Sequence, residues 1–226
     1  MNNVLIVFVV SITTHLAAFI YTASILSIPW LNSRRIQPFN HSIKKLFREL
    51  PIILINMCLI TSLFCGAVYC LRNFIITNSC PCWIFFIQIV IIAITDDFYF
   101  YWFHRALHKS KFLYKHIHII HHRASAPLPI EMYYVHPLEM LLGSFGIFIG
   151  LSIAYFIFNF LSIYIPIGYY CLKVFHEMNI HSGFTYLNIN NHHDMHHTKL
   201  RGNYASIFYI FDKLYNTLID NKKQNE

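Results

Sequence analysis

Histidine is the residue type in this sequence with the clearest capacity for chemistry. The chain has 15 histidines, and 13 of them lie between His104 and His197. A neutral imidazole is the commonest metal-binding side chain in proteins, and structural uses of histidine do not concentrate it in one stretch. The concentration therefore indicates a metal site in the second half of the chain.

Eight of these histidines fall into three short groups with helical spacing. The first group has the pattern HxxxH, and the other two have the pattern HxxHH. Residues three and four positions apart lie on one face of a helix, so each group can direct its imidazoles toward a common ion. The groups are His104 and His108, then His118, His121 and His122, then His193, His196 and His197.

The number of imidazoles predicts two metal ions. A structural zinc site needs only four ligands, and eight histidines exceed that number. Within the second group, the spacing allows His118 and His122 to share one ion while His121 turns toward the other. The residue types alone leave zinc, iron and copper open. Two redox-active metal ions next to lipid would favour an enzyme that activates O2 and oxidises an apolar substrate.

Three further histidines are candidates to complete the coordination of these ions. They are His136, His176 and His181. By contrast, His116 lies two residues before His118 and is predicted to point away from the metal. His15 and His41 are remote from the groups in the sequence, and we expect ordinary structural roles for both.

Polar residues near the groups are candidates to orient the ligands. A metal-bound imidazole usually donates its second N–H to a carboxylate or a carbonyl group. Asp97 lies two helical turns before His104, and Glu139 lies one turn after His136, so both carboxylates have suitable positions. For Asp96 we expect only a charge at the membrane interface. The residues predicted to lie behind the ligands are Asp97, Glu139, Asp194 and His192.

The sequence around the histidine groups is strongly apolar. Hydrophobic residues make up 56% of the chain and charged residues only 12%, whereas soluble domains have about 25% charged residues. The net charge is +7, and the charges lie in short stretches between apolar runs. That distribution favours a membrane protein over a nucleic-acid-binding protein.

Three apolar runs are long enough to cross a bilayer, which takes about 20 residues. They are residues 4–30, 51–71 and 82–103. The first run lacks a basic start and a cleavage site, so we expect a retained membrane helix rather than a signal peptide. The basic connector at residues 31–50 is predicted to face the cytosol.

A fourth apolar stretch runs from Glu139 to about Leu172 and separates the second histidine group from the third. It is too long for one untilted span and short for two. A single crossing would place the groups on opposite sides of the membrane, so we predict a hairpin or two short helices. Candidate break points are Gly143, Gly146, Gly150 and Pro166.

These features predict an all-α integral membrane protein with about four transmembrane segments and a cytosolic, histidine-rich helical metal domain. Residues 1–95 would form the N-terminal membrane helices and the basic loop. Residues 96–220 would form the domain with the three histidine groups, and residues 221–226 a charged tail. The six cysteines lie mostly in apolar stretches, and their spacing does not indicate a disulfide framework.

The order of the motifs resembles that of a known family. HRALH, HIIHH, HPLE, HSGF, HHDMHH and GNYAS follow one another as in the C-4 methylsterol oxidases, a branch of the fatty acid hydroxylase and sterol desaturase superfamily. The resemblance runs from about Asp97 to Thr217. It includes positions outside the histidine groups, namely Glu131, residues 136–139, residues 181–183 and residues 202–206.

This resemblance implies a non-haem di-iron monooxygenase of sterol biosynthesis, with the eight grouped histidines as iron ligands. The reaction would be the O2-dependent oxidation of a sterol C-4 methyl group. Electrons would come from NAD(P)H through a separate protein, either cytochrome b5 or a reductase. The expected partners are therefore a sterol or lipid substrate, O2, an electron-transfer protein and membrane lipid, with no nucleic acid. The family implies the endoplasmic reticulum membrane if the source is eukaryotic.

Two other interpretations remain open at this point. Another sterol or lipid hydroxylase or desaturase of the superfamily, such as a sterol 25-hydroxylase, would use the same histidine groups. A non-enzymatic membrane metal-binding protein is the second alternative. A transporter would hold its ligands inside the spans, whereas these groups lie outside the apolar runs. The segment from Ser182 to Asn191 is shorter than is usual in the family, and we expect it to influence substrate specificity.

Overall fold

The computed structural model describes residues 3–36, 43–76, 78–184 and 192–219, and most of these residues are helical. Three long helices dominate the N-terminal half: α1 (Asn3–Ser27), α3 (Ile43–Cys70) and α4 (Cys82–Lys109), with the short α2 (Pro29–Asn32) after α1. Each long helix exceeds the roughly 20 residues that a bilayer crossing needs. Most of the segment from Ser182 to Asn191 lies outside the described residues, and so does the whole charged tail at residues 221–226.

The C-terminal half is built from shorter elements. After α4 come α5 (Lys111–Leu113), a π-helical turn (Tyr114–His118), α6 (Ile119–His122) and a 3-10 turn (Pro129–Tyr133). Then follow α7 (Pro137–Gly143), α8 (Phe145–Phe158), α9 (Tyr164–Ile180), α10 (His192–Lys199) and α11 (Ile210–Leu214). With α7 and α8 taken together, the described residues contain four stretches long and apolar enough to span a membrane. The predicted all-α membrane fold with about four spans is therefore confirmed.

The fourth apolar stretch leaves the histidine groups and returns to them. Helices α7 and α8 run outward, the chain turns at Asn159, which has a φ of 59°, and α9 runs back. The turn carries β2 (Leu161–Ser162), which pairs in parallel with β1 (Ile75–Ile76) in the connection between α3 and α4. The predicted pair of helices in place of one crossing helix is what the structure has.

The sequence suggested Gly146 and Gly150 as candidate break points, but the break between the helices of this stretch falls at neither residue. Both glycines lie inside α8 and face α4. A Cβ atom at Gly146 would come within 2.9 Å of the Asp96 Cα, and one at Gly150 within 2.8 Å of the Ile92 Cα. These glycines therefore permit close approach of two helices, which is their usual role in membrane helix packing.

Packing around α4 holds the site in place. One buried apolar cluster joins α4 to α8, α9 and the β1–β2 pair and contains Ile92, Leu151 and Ile165. A second cluster joins α1, α3 and α9 to the 3-10 turn and contains Ile53, Ile130 and Val174. Many large apolar side chains on the outer faces of α1, α3 and α4 remain exposed, which suits helices surrounded by lipid.

Candidate metal centre

The three histidine groups converge into two neighbouring clusters of imidazoles. Within each cluster, one ring nitrogen per residue lies within 4.8 Å of the corresponding nitrogen of every other member. The five-histidine cluster contains His104, His108, His118, His122 and His196. The four-histidine cluster contains His121, His181, His193 and His197.

Helix geometry distributes each sequence group between the clusters. His104 and His108 lie one turn apart near the end of α4 and both enter the five-histidine cluster. The second and third groups are each divided between the clusters, because positions i and i+3 do not point in quite the same direction. A π-helical turn ends at His118 and leads directly into α6, and such turns often occur at functional sites.

The Nε2 atoms in the five-histidine cluster are closely spaced. His108 Nε2 lies 2.8 Å from His118 Nε2 and 3.1 Å from both His122 Nε2 and His196 Nε2. The distance between the Nε2 atoms of His104 and His118 is also 3.1 Å. Two nitrogens bound at right angles to one metal ion, each about 2.1 Å from it, would be about 3.0 Å apart. The spacing therefore fits a shared ion.

The four-histidine cluster has the same spacing. His193 Nε2 lies 3.0 Å from His181 Nε2 and 3.1 Å from His197 Nε2. His181 follows the last residue of α9, and its ring lies 5.4 Å from that of His121, measured between centroids. All four side chains are buried. This cluster therefore combines residues from α6, α9 and α10 that are far apart in sequence.

Hydrogen bonds to the outer ring nitrogens orient several of these imidazoles. His104 Nδ1 donates to the Tyr204 carbonyl oxygen at 2.8 Å, and His196 Nδ1 donates to the Gly202 carbonyl oxygen at 2.7 Å. His118 Nδ1 donates to Glu139 Oε1 at 2.8 Å. Because a carbonyl or carboxylate oxygen only accepts, the proton lies on Nδ1 in each case. The Nε2 lone pairs therefore face the interior of the cluster.

His181 is fixed in the same way. Its Nδ1 donates to the Glu177 carbonyl oxygen, one helical turn earlier in α9, at 2.8 Å. This arrangement leaves the Nε2 lone pair directed at His193 in the four-histidine cluster. Ligand histidines in metalloproteins are usually oriented by such acceptors.

Burial lowers the pKa of several clustered imidazoles and so keeps them in the neutral form that a metal needs. Burial lowers the pKa of His196 to about 3, with contributions from His118 and His181, although the bond to the Gly202 carbonyl opposes the shift. Burial and the neighbouring rings also lower the pKa of His121, His193 and His197 well below the usual value. Neutral imidazoles at physiological pH are ready to act as ligands without losing a proton.

Two histidines proposed from the sequence lie outside both clusters. His136 begins α7, where its Nδ1 accepts a hydrogen bond from the Leu138 backbone N–H at 3.1 Å. His176 Nε2 donates to the Ser206 carbonyl oxygen at 2.8 Å. The structure thus gives both rings backbone partners, with His136 capping a helix and His176 holding the loop after residue 204.

The candidates for orienting roles occupy different environments. Glu139 contacts the ligand candidate His118, as described above. Asp97 instead accepts three backbone N–H bonds from residues 206–208 at 2.7–2.8 Å, so it fixes that loop rather than an imidazole. Asp194 is buried and attracts Arg35 electrostatically. The His192 ring packs against Tyr209 with a centroid distance of 4.3 Å.

Asp96 was expected at the membrane interface, and this expectation is wrong. Its side chain is only 2% exposed, and Oδ2 accepts a hydrogen bond from the Tyr169 hydroxyl at 2.7 Å. The Lys173 ammonium lies 3.2 Å from the same oxygen. Sequence position placed Asp96 near the end of an apolar run, but only the return of α9 along α4 supplies these partners.

Sequence reasoning also missed the backbone carbonyls that orient the ligands. Gly202 and Asn203 adopt left-handed conformations with φ values of 66° and 52°. Asp212 then accepts the backbone N–H groups of Tyr204 and Ala205 at 2.8 and 2.9 Å. Nothing in the sequence indicates that the Gly202 carbonyl faces His196 or that the Tyr204 carbonyl faces His104.

Two cavities adjoin the clusters. The smaller one, of about 140 Å³, is bordered by residues of both clusters, by apolar side chains and by Lys173 and Glu177. The larger one, of about 470 Å³, lies between α4, α9 and the loop after residue 204 and also reaches His193. Lys173 borders both cavities. The imidazoles are therefore accessible to a molecule with a mostly apolar surface.

Residues 89–217, more than half of the chain, match the fatty acid hydroxylase family. These residues contain all nine clustered histidines. The chain therefore belongs to the fatty acid hydroxylase family. No solved structure matches the chain.

Curated relatives indicate the branch of the family to which the chain is similar. Methylsterol monooxygenase 1 of Danio rerio is 29% identical over 84% of this chain and 69% of its own length. Methylsterol monooxygenase 1 of Rattus norvegicus is 32% identical over 79% of this chain and 59% of its own. A very-long-chain aldehyde decarbonylase of Oryza sativa is 34% identical over 58% of this chain and 52% of its own. The chain thus spans about half to two thirds of the length of these relatives.

Proposed function

We propose that this protein is a membrane-bound, di-iron monooxygenase that oxidises a C-4 methyl group of a sterol. The observation that carries the proposal is the orientation of His104 and His118. Both rings donate from Nδ1 to fixed acceptors, so two Nε2 lone pairs face each other at 3.1 Å. Two lone pairs at that separation repel one another unless a cation lies between them.

The donor set favours iron over structural zinc. Structural zinc sites use four ligands in a tetrahedron, often with cysteine. One cluster offers five imidazoles and the other four, and neither includes a cysteine. Five imidazole nitrogens exceed the four ligands of a tetrahedral zinc site, so they would suit an ion that takes more than four ligands. Bound iron would supply O2 activation, which oxidation of an unactivated C–H bond requires.

The chain's own groups would hold, orient and protect the reacting components. The five-histidine and four-histidine clusters would each hold one ion. Glu139 and the carbonyls of Gly202, Tyr204 and Glu177 fix the protonated Nδ1 atoms and so keep the Nε2 atoms directed inward. Burial of the clusters excludes bulk water, and the apolar cavity walls would orient a lipid substrate.

The sterol assignment rests on relatives and motif order. Two methylsterol monooxygenases align with most of this chain, and the sequence motifs follow the order of that branch. The proposal includes a separate electron donor, namely cytochrome b5 or a reductase that uses NAD(P)H. The proposed location is the endoplasmic reticulum membrane of a eukaryotic cell.

Expression in yeast that lacks its own C-4 methyl oxidase tests this function. We expect the protein to remove accumulated 4,4-dimethylsterols, measured by mass spectrometry, and to purify with two iron ions per chain. His196→Ala should abolish the reaction. His116→Ala is the matched control, because His116 is exposed and lies outside both clusters, and this variant should retain activity.

The outcome also separates the proposed reaction from its nearest alternative. If 4,4-dimethylsterols persist although the protein is well expressed and loaded with iron, the C-4 assignment is wrong. Oxidation at another position of a sterol or lipid is then the second candidate. The similarity to the rice relative named as an aldehyde decarbonylase favours this second candidate, because it extends the possible substrates to other lipids. If the protein takes up no iron when iron is supplied, the di-iron proposal falls.

A further inference from the structure

Three charged side chains form a buried group, which we call the ion triad. It lies beside the two histidine clusters. The Lys173 ammonium lies 3.2 Å from Asp96 Oδ2 and 3.1 Å from Glu177 Oε1. All three residues border the smaller cavity. Charged groups are costly at such depth, so their presence in the wall of a mostly apolar cavity calls for a reason beyond packing.

One oxygen of the ion triad faces the cavity without a hydrogen bond. Glu177 Oε1 accepts from Lys173 Nζ and from the Ser206 hydroxyl at 2.6 Å. The nearest charged or titratable partner of Oε2 is His181 Nδ1 at 3.9 Å, which is too far for a hydrogen bond. Within the described residues no hydrogen bond reaches Oε2. The Glu177 side chain nevertheless keeps 18% of its surface exposed, since it borders the cavity.

This free acceptor lies next to the four-histidine cluster. His181, whose Nδ1 is 3.9 Å from Oε2, belongs to that cluster. On the other side, the Lys173 ammonium lies 5.3 Å from the centroid of the Phe100 ring. The Phe100 ring in turn contacts His104 of the five-histidine cluster, with 5.2 Å between centroids. A group bonded to Oε2 would therefore hold its neighbouring atoms close to the four-histidine cluster, in a cavity that the five-histidine cluster also borders.

The remaining cavity wall is mostly apolar. Ile60, Met132, Val135, Met140 and Ile147 are among the residues that form it. In a cavity of this kind, a few polar groups determine the orientation of a mostly apolar ligand. A carboxylate oxygen that still needs a donor selects a ligand with an O–H group, since an ether or a ketone can only accept.

We propose that the Glu177 carboxylate accepts a hydrogen bond from a hydroxyl group of the lipid substrate and thereby anchors it. Lys173 and Ser206 hold the other carboxylate oxygen and keep the anchor in place. The substrate class is a lipid alcohol whose hydroxyl group lies close to the carbon that is oxidised. A sterol meets this requirement, because its hydroxyl-bearing C-3 is bonded to C-4, which carries the methyl group. The inference deepens the proposed function and rests on it for the identity of the lipid.

Binding of matched ligands to the metal-free protein tests this anchor. The probes are a 4,4-dimethylsterol with a free 3-hydroxyl and its 3-methyl ether, each measured by competition in lipid nanodiscs. We expect the wild-type protein to bind the alcohol about tenfold more tightly, because a hydrogen bond to a charged acceptor is lost in the ether. Glu177→Gln should reduce this ratio, because the neutral amide is a weaker acceptor.

A second variant removes the acceptor and leaves the other two charges of the ion triad paired. Glu177→Leu deletes one anion, and the Lys173 ammonium keeps Asp96 Oδ2 as its partner at 3.2 Å, so no buried charge is left unpaired. We expect this variant to bind the alcohol and the ether equally. Glu49→Gln is the matched control, since Glu49 is a buried carboxylate paired with Lys45 outside the cavity. It should keep the wild-type ratio.

Each outcome bears on the anchor separately from the reaction. Equal binding of alcohol and ether by the wild-type protein would overturn the anchor, and so would a wild-type ratio in folded Glu177→Leu. A second pair of probes, hexadecanol and its methyl ether, removes the dependence on sterols. Sterol oxidation can fail in yeast while the wild-type protein still binds either alcohol more tightly than its methyl ether. If Glu177→Gln then reduces that preference, the anchor stands and the C-4 reaction falls.

Discussion

The two histidine clusters differ in how firmly the protein orients their rings. In the five-histidine cluster, Nδ1 atoms of three residues donate to fixed acceptors on α7 and on the loop after α10. In the four-histidine cluster only His181 has such a bond among the interactions described, and the buried Nδ1 atoms of His121 and His197 have no partner in the described part of the chain. The five-histidine cluster is therefore the more preorganised of the two.

This contrast has a physical consequence for metal binding. Imidazoles that are already oriented lose less conformational freedom when an ion binds, and their acceptors raise the basicity of the ligand nitrogen. We therefore expect the five-histidine cluster to bind its ion more tightly. The four-histidine cluster lies beside the ion triad and the larger cavity, where a substrate or a mobile ligand has more room.

Removing a single ligand histidine, from one cluster or from the other, should give the largest effect on iron content and activity. His118 lies within 3.1 Å of three other ring nitrogens, so His118→Ala should lose one iron per chain and more than about 100-fold of the activity. His193→Ala should likewise lose one iron, but the ion that remains should bind more tightly than the one remaining in His118→Ala. Iron content and iron affinity by competition with a chelator measure both.

The control for these variants is His116→Ala, which should retain two iron ions. If His193→Ala loses both ions while His118→Ala keeps one that binds tightly, the order of affinities is the reverse of the one inferred from the hydrogen bonds.

Acidification should destabilise the metal-free protein. Burial lowers the pKa of His196 to about 3 in the folded state, while an unfolded histidine has a pKa of about 6.5. Between these values the unfolded chain binds more protons, so stability falls as the pH falls from about 6.5 toward 3. Each such histidine contributes up to about 1.4 kcal/mol for each pH unit in this range.

Thermal unfolding in detergent at pH 7.5 and pH 5 provides the measurement. We expect a lower transition temperature at pH 5. Added iron should raise the transition temperature more at pH 7.5 than at pH 5, because protons compete with iron for the ligand nitrogens. Identical transitions at the two pH values would show that the imidazoles are not kept neutral by the fold.

Weakening the orientation of one ligand should have a smaller effect than removing it. Glu139→Gln retains the size of the side chain but removes the charge that accepts from His118. We expect iron affinity of the five-histidine cluster to fall by about 10- to 100-fold, with the four-histidine cluster unchanged. An equal loss of iron affinity in both clusters would contradict the inference that the two clusters are separate metal sites.

The smallest effect is expected at the helix contact that supports the five-histidine cluster. Gly150→Ala would place a Cβ 2.8 Å from the Ile92 Cα, so α8 must shift away from α4 at a cost of about 1–3 kcal/mol. Gly66→Ala is the matched control, because its Cβ meets nothing within 4 Å, and it should be neutral or stabilising. Thermal unfolding compares the two, and equal transition temperatures would contradict the close contact.

The way the grouped histidines converge could be predicted from the sequence because helix geometry is local, while their role as metal ligands stays a prediction. Spacing of three and four residues was enough to place His118 with His122 and to turn His121 toward a second site, and the structure has this arrangement. Spacing was not informative for single histidines. His181 enters a cluster, whereas His136 and His176 bond to backbone groups, and all three are isolated in the sequence.

Acidic residues show the same limit. Asp97 and Glu139 were both placed near a ligand by helical spacing, but Asp97 binds the loop at residues 206–208 and only Glu139 contacts an imidazole. Asp96 and Asp97 are adjacent in sequence, and each has partners more than 70 residues away in the chain. Such partners depend on how α9 and the C-terminal loop return to α4.

Composition and periodicity determined the class of this protein: four apolar stretches, an all-α fold, and imidazoles in numbers that predict metal binding. Tertiary structure decided which histidines lie in the same cluster, which carbonyls orient them, and that Glu177 and Lys173 meet in the cavity wall. The physical reason is one of range. Helical spacing acts within one or two turns, whereas the chain must fold back on itself before contacts between distant residues exist.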